Sequence, residues 1–146
     1  MKQKRVTHSE KTTKEKDVKQ LEVVGYFDKY PSWRFSMADF DSAWSPKAIL
    51  EDSRMLRHLI DRERQTWAEI FQAKKQNHFI RFAESPSKAA RDRANEIHLT
   101  ERVGDELFSL RLEGDLRLLG SIHDGVFFVI WYDPTHDVWP SPKKHT

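Results

Sequence analysis

The sequence predicts an α+β domain in which helices pack on one face of an antiparallel sheet, the last third of the chain forming a three-stranded meander. Three observations lead there. The runs Leu107–Leu112, Leu116–His123 and Val126–Tyr132 are rich in aliphatic and aromatic residues and are separated by Glu113-Gly114-Asp115 and by Asp124-Gly125. Asp-Gly between two apolar runs marks a two-residue hairpin, because both central positions of a type I′ turn need positive φ. Upstream, between Ser45 and Leu99, apolar residues recur at roughly helical spacing. Finally, 146 residues of which 38% are hydrophobic suit one domain with one core.

The elements follow in chain order. Residues 1–20 carry almost nothing to bury and are expected to form a disordered basic tail. The folded domain is placed at 21–139, with 140–146 as a frayed C-terminus. Trp33–Met37 alternates apolar and polar residues and reads as a short strand. Ser45-Pro46 opens a helix that buries Ile49, Leu50, Leu56, Leu59 and Ile60. Thr66 caps a shorter helix with Trp67, Ile70 and Phe71 on its apolar face. His78–Phe82 is extended, and Ser85-Pro86 or Ser87 starts a third helix ending near Leu99.

Composition excludes some functions. The chain has no Cys, which rules out disulfides and thiolate metal sites and points to a reducing cytoplasm. Its seven His show no HxH or HxxxH spacing, so neither metal nor cofactor is expected. No apolar run approaches the roughly 20 residues that span a bilayer, and the basic start lacks the apolar stretch of an export signal. Residues 1–20 hold seven Lys/Arg and three Asp/Glu, whereas the rest is close to neutral. A nucleic-acid function therefore needs a local basic site.

The meander supplies one. Centring the first hairpin on Gly114 opposes Arg111 to Arg117 and Leu110 to Leu118. Centring the second on Asp124-Gly125 opposes Ile122 to Phe127, Gly120 to Val129 and Leu118 to Trp131. Period-two alternation then gives an apolar face containing Phe108, Leu110, Leu118, Phe127, Val129 and Trp131. The opposite face carries Arg111, Arg117 and Tyr132 in one row. Like charges directly opposed on a sheet repel, so an anion is expected there. Glu113, Asp115 or a helix carboxylate could supply it; so could a bound phosphate, matched by the planar guanidinium fork and a phenol.

The stretches Leu107–Leu118 and Asp124–Trp131, followed by His136, resemble the C-terminal half of RelE/YoeB-type toxins: Arg on one strand, a Gly-containing turn, Arg on the next, an apolar strand and a late His. From Trp33 to Trp139 the chain is similar to an uncharacterised bacterial subgroup of that RelE/ParE superfamily, through Thr66-Trp67, Asn77–Ile80 and Asp133–His136. The resemblance implies a RelE-like fold and a cytoplasmic toxin of a type II toxin–antitoxin pair, an RNA-binding hydrolase that cuts mRNA on the ribosome without a metal. Its partners would be a cognate antitoxin protein and mRNA. By position, Arg117 would stabilise the scissile phosphate, Arg111 would hold the backbone, and His136 would move protons. Tyr132, His78, Lys143 and Lys144 are candidates for substrate contact. The chain lacks the His-Tyr ending of the YoeB type and has no counterpart of its catalytic Glu. A ParE-like gyrase inhibitor, or a protein-binding module on the same fold, are the alternatives.

Overall fold

The computed structural model describes residues 25–140. In chain order these form β1 (Ser32–Arg34), α1 (Lys47–Glu51), α2 (Ser53–Glu63), α3 (Trp67–Gln72), β2 (His78–Ile80), α4 (Lys88–Glu96), α5 (Leu99–Val103), β3 (Leu107–Glu113), β4 (Leu116–His123) and β5 (Val126–Asp133), with a single 3-10 turn at Phe82–Glu84. One five-stranded sheet has the order β1-β5-β4-β3-β2, parallel between β1 and β5 and antiparallel elsewhere. The chain is thus α+β, and the meander lies where the sequence predicts it. The expected tail, residues 1–20, and Lys143 and Lys144 lie outside the described residues.

The turns form for the anticipated reasons. Asp124 and Gly125 have φ of 51° and 86°, the left-handed pair of a tight hairpin. Arg111 faces Arg117 and Leu110 faces Leu118 as expected, but for another reason: the turn is Gly114-Asp115, and a bulge between Arg111 and Glu113 shifts the register by one. Thr66 caps α3: its hydroxyl accepts from Glu69 N while Glu69 accepts from Thr66 N, a reciprocal box that satisfies two orphan donors. Ser87 caps α4 by accepting from Ala90 N at 3.1 Å.

Three expectations are corrected. The first concerns β5. Ile122 faces Phe127 and Gly120 faces Val129, but Leu119 faces Trp131 and Leu118 faces Tyr132, leaving Ile130 as a bulge. The loop after β1 takes up the backbone groups beside it: Asp39 N donates to Ile130 O and Tyr132 N to Trp44 O, at 3.0 and 2.7 Å. The bulge inverts everything beyond it, so Trp131 leaves the Leu118 face and Tyr132 joins it.

The second is that both faces of the sheet are covered. Phe108, Leu110, Leu118, Phe127, Val129 and Tyr132 pack with Ile49, Met55, Leu59, Trp67 and Ile70 from α1–α3. Leu107, Leu119, Ile130 and Trp131 pack with Ala90, Ala94 and Leu99 from α4 and α5, and with Trp44 and Val138. Trp67 is fully buried, donates its indole N–H to Gly125 O at 2.9 Å, and stacks on Phe127 at 6.3 Å.

The third is a break in the first helix. Asp52 is extended, with φ −128° and ψ 111°, and its carboxylate caps α2 by accepting from Arg54 N. The break rotates α2 relative to α1. Ile49, Met55 and Leu59 point inward, while Leu50 and Leu56 are 74% and 54% exposed.

Candidate functional site

The second sheet face is apolar at its centre and polar at the end nearest the β3–β4 hairpin. Cross-strand partners share a face, so the row runs Arg111–Arg117–Asp133, with Asp133 where Tyr132 was expected. On β2, His78 faces Ser109 and so projects on the same side. The turn after β5 brings in His136. Tyr132 is instead buried on the other face, its hydroxyl 3.5 Å from Met55 Sδ. It does not join the arginine row.

Each member is held by backbone or side-chain bonds that can be traced to the sequence. β2 ends its pairing before Arg111, and Asn77 takes over: its Oδ1 accepts from Arg111 N and its amide donates to Ile70 O, at 2.9 and 3.1 Å. Arg62 of α2 donates to the Arg111 and Leu112 carbonyls, filling the bulge in β3 between Arg111 and Glu113. Gly114, with φ 55°, turns its carbonyl between the two arginines and accepts from Arg111 Nε at 3.0 Å and Arg117 Nη1 at 2.7 Å. The guanidinium groups are thereby aimed by a carbonyl. Among the described residues neither forms a salt bridge, and Glu113 turns instead to His58 at 3.1 Å.

Asp133 is 1% exposed and organises the following turn. Its carboxylate accepts from Asp137 N and from Val138 N, both at 2.8 Å. Ser85 ties the same segment down through a short hydrogen bond from its hydroxyl to Val138 O. Between these anchors His136 sits in the left-handed region at φ 61°, half-buried beside the sheet. Asp133 is the positioning residue that sequence reasoning missed. An Asp at a strand end, followed by Pro and a small hydroxyl residue, is itself a turn signal that could have flagged it.

Burial and the two arginine charges set the electrostatics of the cluster. Burial lowers the pKa of Arg117, and the neighbouring Arg111 charge lowers it further; Asp115 and Asp133 pull the other way. Among the described residues Arg117 Nε is buried without a hydrogen-bond partner, and such donors are rare because each costs roughly 1–3 kcal/mol. Burial, then Arg117, then His136 depress the His78 imidazole below the ordinary histidine value. Burial and Arg117 likewise depress His136, against the opposing charges of Asp133, Asp115 and Asp137. At neutral pH both rings are therefore mainly neutral, next to a guanidinium with donor capacity to spare.

The structure thus gathers Arg111, Arg117, His136 and His78, and excludes Tyr132. Among the described residues no group of three or more His, Asp or Glu side chains could hold a metal ion, and no helix is long and apolar enough to cross a membrane. Comparison with protein-family models, with curated proteins and with solved structures finds no match to this chain.

Proposed function

We infer that this chain is a RelE-like toxin that cleaves mRNA on the ribosome by metal-independent phosphodiester transfer, and that an antitoxin protein holds it in check. The observation that carries the reading is the buried Arg117 guanidinium, with an Nε unpartnered and no salt bridge among the described residues, close enough to His78 and His136 for its charge to depress both imidazoles. Perturbed titratable groups around a cation bonded to backbone carbonyls but not to a carboxylate are characteristic of sites that bind and transform a charged ligand.

The chemistry follows from those groups. Neutral His78 takes the proton of the ribose 2′-hydroxyl as its oxygen attacks the adjacent phosphorus. Arg117, with Arg111 behind it, bears the extra charge of the phosphorane. The bond to the 5′-oxygen breaks, and that oxygen leaves with a proton from His136, giving a 2′,3′-cyclic phosphate and a 5′-hydroxyl. A bound phosphodiester anion raises the imidazole pKa values, so His136 acquires its proton when substrate binds. Lys143 and Lys144, beyond the described residues, would add charge for the RNA backbone.

The test is growth inhibition measured beside a melting curve for Arg117→Ala, Arg117→Lys, His136→Ala and His78→Ala. Arg117→Ala should be stable and non-toxic, with Lys rescuing only partly, because a point charge cannot reproduce the guanidinium fork. A stable and fully toxic Arg117→Ala would place the active site elsewhere. Toxicity without RNA cleavage would point to the gyrase-inhibiting alternative.

A further inference from the structure

The hairpin that carries Arg117 has a second side. Leu116 and Arg117 are consecutive on β4, and Tyr132 and Asp133 on β5, so within each pair the side chains leave the sheet in opposite directions. On the face away from the cluster, the hairpin, β5 and the first turns of α2 border a cavity of about 460 Å³. Met55, Leu116 and Tyr132 supply apolar wall; the polar lining is Ser53, Arg54, Arg57 and His58 together with the carboxylates of Asp52 and Glu113. The volume lies inside the range of about 300–1,000 Å³ typical of small-molecule sites, which likewise combine apolar walls with a few polar groups.

Two groups at the cavity, the Tyr132 hydroxyl and the Arg57 guanidinium, have hydrogen-bonding capacity to spare, while both carboxylates are paired. The Tyr132 hydroxyl, in a side chain 7% exposed, reaches only the Met55 thioether, a weak acceptor. Arg57 is exposed and enters no hydrogen bond or ion pair among the described residues. Its neighbours are already engaged: Arg54 bonds Asp52 at 2.8 Å, and His58 bonds Glu113. An isolated phosphate would leave the apolar wall unused, and an alkyl chain would leave the phenol and guanidinium unused. A nucleotide uses all three, with a flat apolar ring, a hydrogen-bonding edge and a negative group.

We propose that this cavity is a base pocket that holds a nucleotide flanking the scissile phosphate, Tyr132 and Met55 meeting the base and Arg57 meeting its phosphate. The proposal rests on the RNA-cleavage reading, because the substrate strand must cross the Gly114-Asp115 tip to reach Arg117 from the cavity. It also gives Tyr132 a substrate contact from the face opposite the arginine row.

The experiment is an amide and tyrosine-ring NMR titration of the full chain with adenosine, guanosine, cytidine and uridine 5′-monophosphates. At least one should shift Ser53–Arg57, Leu116 and Tyr132, with a Kd of order 1 mM. Arg57→Ala, and adenosine or another nucleoside lacking phosphate, should each weaken binding about tenfold, as expected for a lost charge-assisted contact, with the melting midpoint unchanged. Shifts confined to His78 and His136, equal shifts from inorganic phosphate alone, or shifts only with an acidic partner peptide would overturn the pocket. Cavity shifts in a protein that leaves mRNA intact would keep the pocket and sink the nuclease reading. Cleavage without cavity shifts would do the reverse.

Discussion

Asp39→Asn should be among the most damaging isosteric changes in this protein, because one carboxylate joins three parts of the fold. Asp39 lies in the loop after β1 and its side chain is 3% exposed. It accepts from Arg93 of α4 through Oδ1 and Oδ2 at 2.7 and 2.9 Å, and from the Trp131 indole of β5 at 2.7 Å. Burial alone would raise its pKa, but the bonds from Arg93, Trp131, Ser42 and Asp41 N together outweigh it and hold the carboxyl well below the usual range. The amide keeps one acceptor and turns N–H groups toward a guanidinium. Breaking a buried pair from one side costs about 3–5 kcal/mol. Arg93 retains a 20% exposed side chain, so the lower end applies, about 3 kcal/mol, or a fall of roughly 10 °C in melting midpoint. Urea and thermal melts followed by tryptophan fluorescence read this directly. The pH dependence gives a second check. A depressed carboxyl contributes stability that is fully present above its unfolded value near 4 and is lost as pH falls toward the folded value. Wild type should therefore lose stability below about pH 4 more steeply than Asp39→Asn. A loss under about 0.5 kcal/mol for Asp39→Asn, or parallel acid profiles, would show that the pair is a bystander.

Gly120→Ala should prevent folding or leave the protein insoluble, since a Cβ there would lie 2.3 Å from Phe128 O and 2.5 Å from the Phe127 ring; normal expression and melting would contradict the bulge geometry. Leu59→Ala should cost about 2–4 kcal/mol and Leu56→Ala under about 0.5, because the first is 4% exposed and the second 54%; equal costs in denaturant melts would mean that α2 is turned otherwise. By NMR titration His78 and His136 should both ionise below the ordinary histidine value, and Arg117→Ala should raise both. Unmoved curves in that variant would separate Arg117 from the imidazoles.

The parts of this fold that are local in sequence were legible, and those that depend on distant pairings were not. Asp124-Gly125 and the Thr66–Glu69 box each settle an element within a few residues. The Arg111–Arg117 opposition was read from a turn centred on Gly114, yet the turn is Gly114-Asp115 and the pairing is made by the bulge between Arg111 and Glu113. The bulge at Ile130 was missed, although Gly120 in mid-strand was its signal: a glycine inside a strand marks a bulge or a close backbone approach, and here Phe127 and Phe128 crowd it. That single residue exchanged Trp131 for Tyr132 and put Asp133 in the arginine row. The two-sided burial was foreshadowed by Leu119, Phe128 and Ile130, which period-two alternation puts on the Arg117 face of the meander. His78 reaches the site only because β2 pairs with β3 some thirty residues later, and no spacing rule announces that. Asp52-Ser53 is an N-cap pattern inside an apolar run, and reading it would have returned Leu50 and Leu56 to the surface.

The central claim, that Arg117 and its two imidazoles cut RNA, is tested most directly by mapping transcript 5′ ends by primer extension shortly after inducing wild type and Arg117→Ala. Wild type should generate new ends inside coding regions. Arg117→Ala, with a melting midpoint close to wild type because it loses one of two opposed charges, should generate at least a hundredfold fewer, since removing one charge-assisted transition-state contact costs about 3–4 kcal/mol. Growth arrest by wild type with no new ends, or undiminished cleavage by a folded Arg117→Ala, would contradict the account.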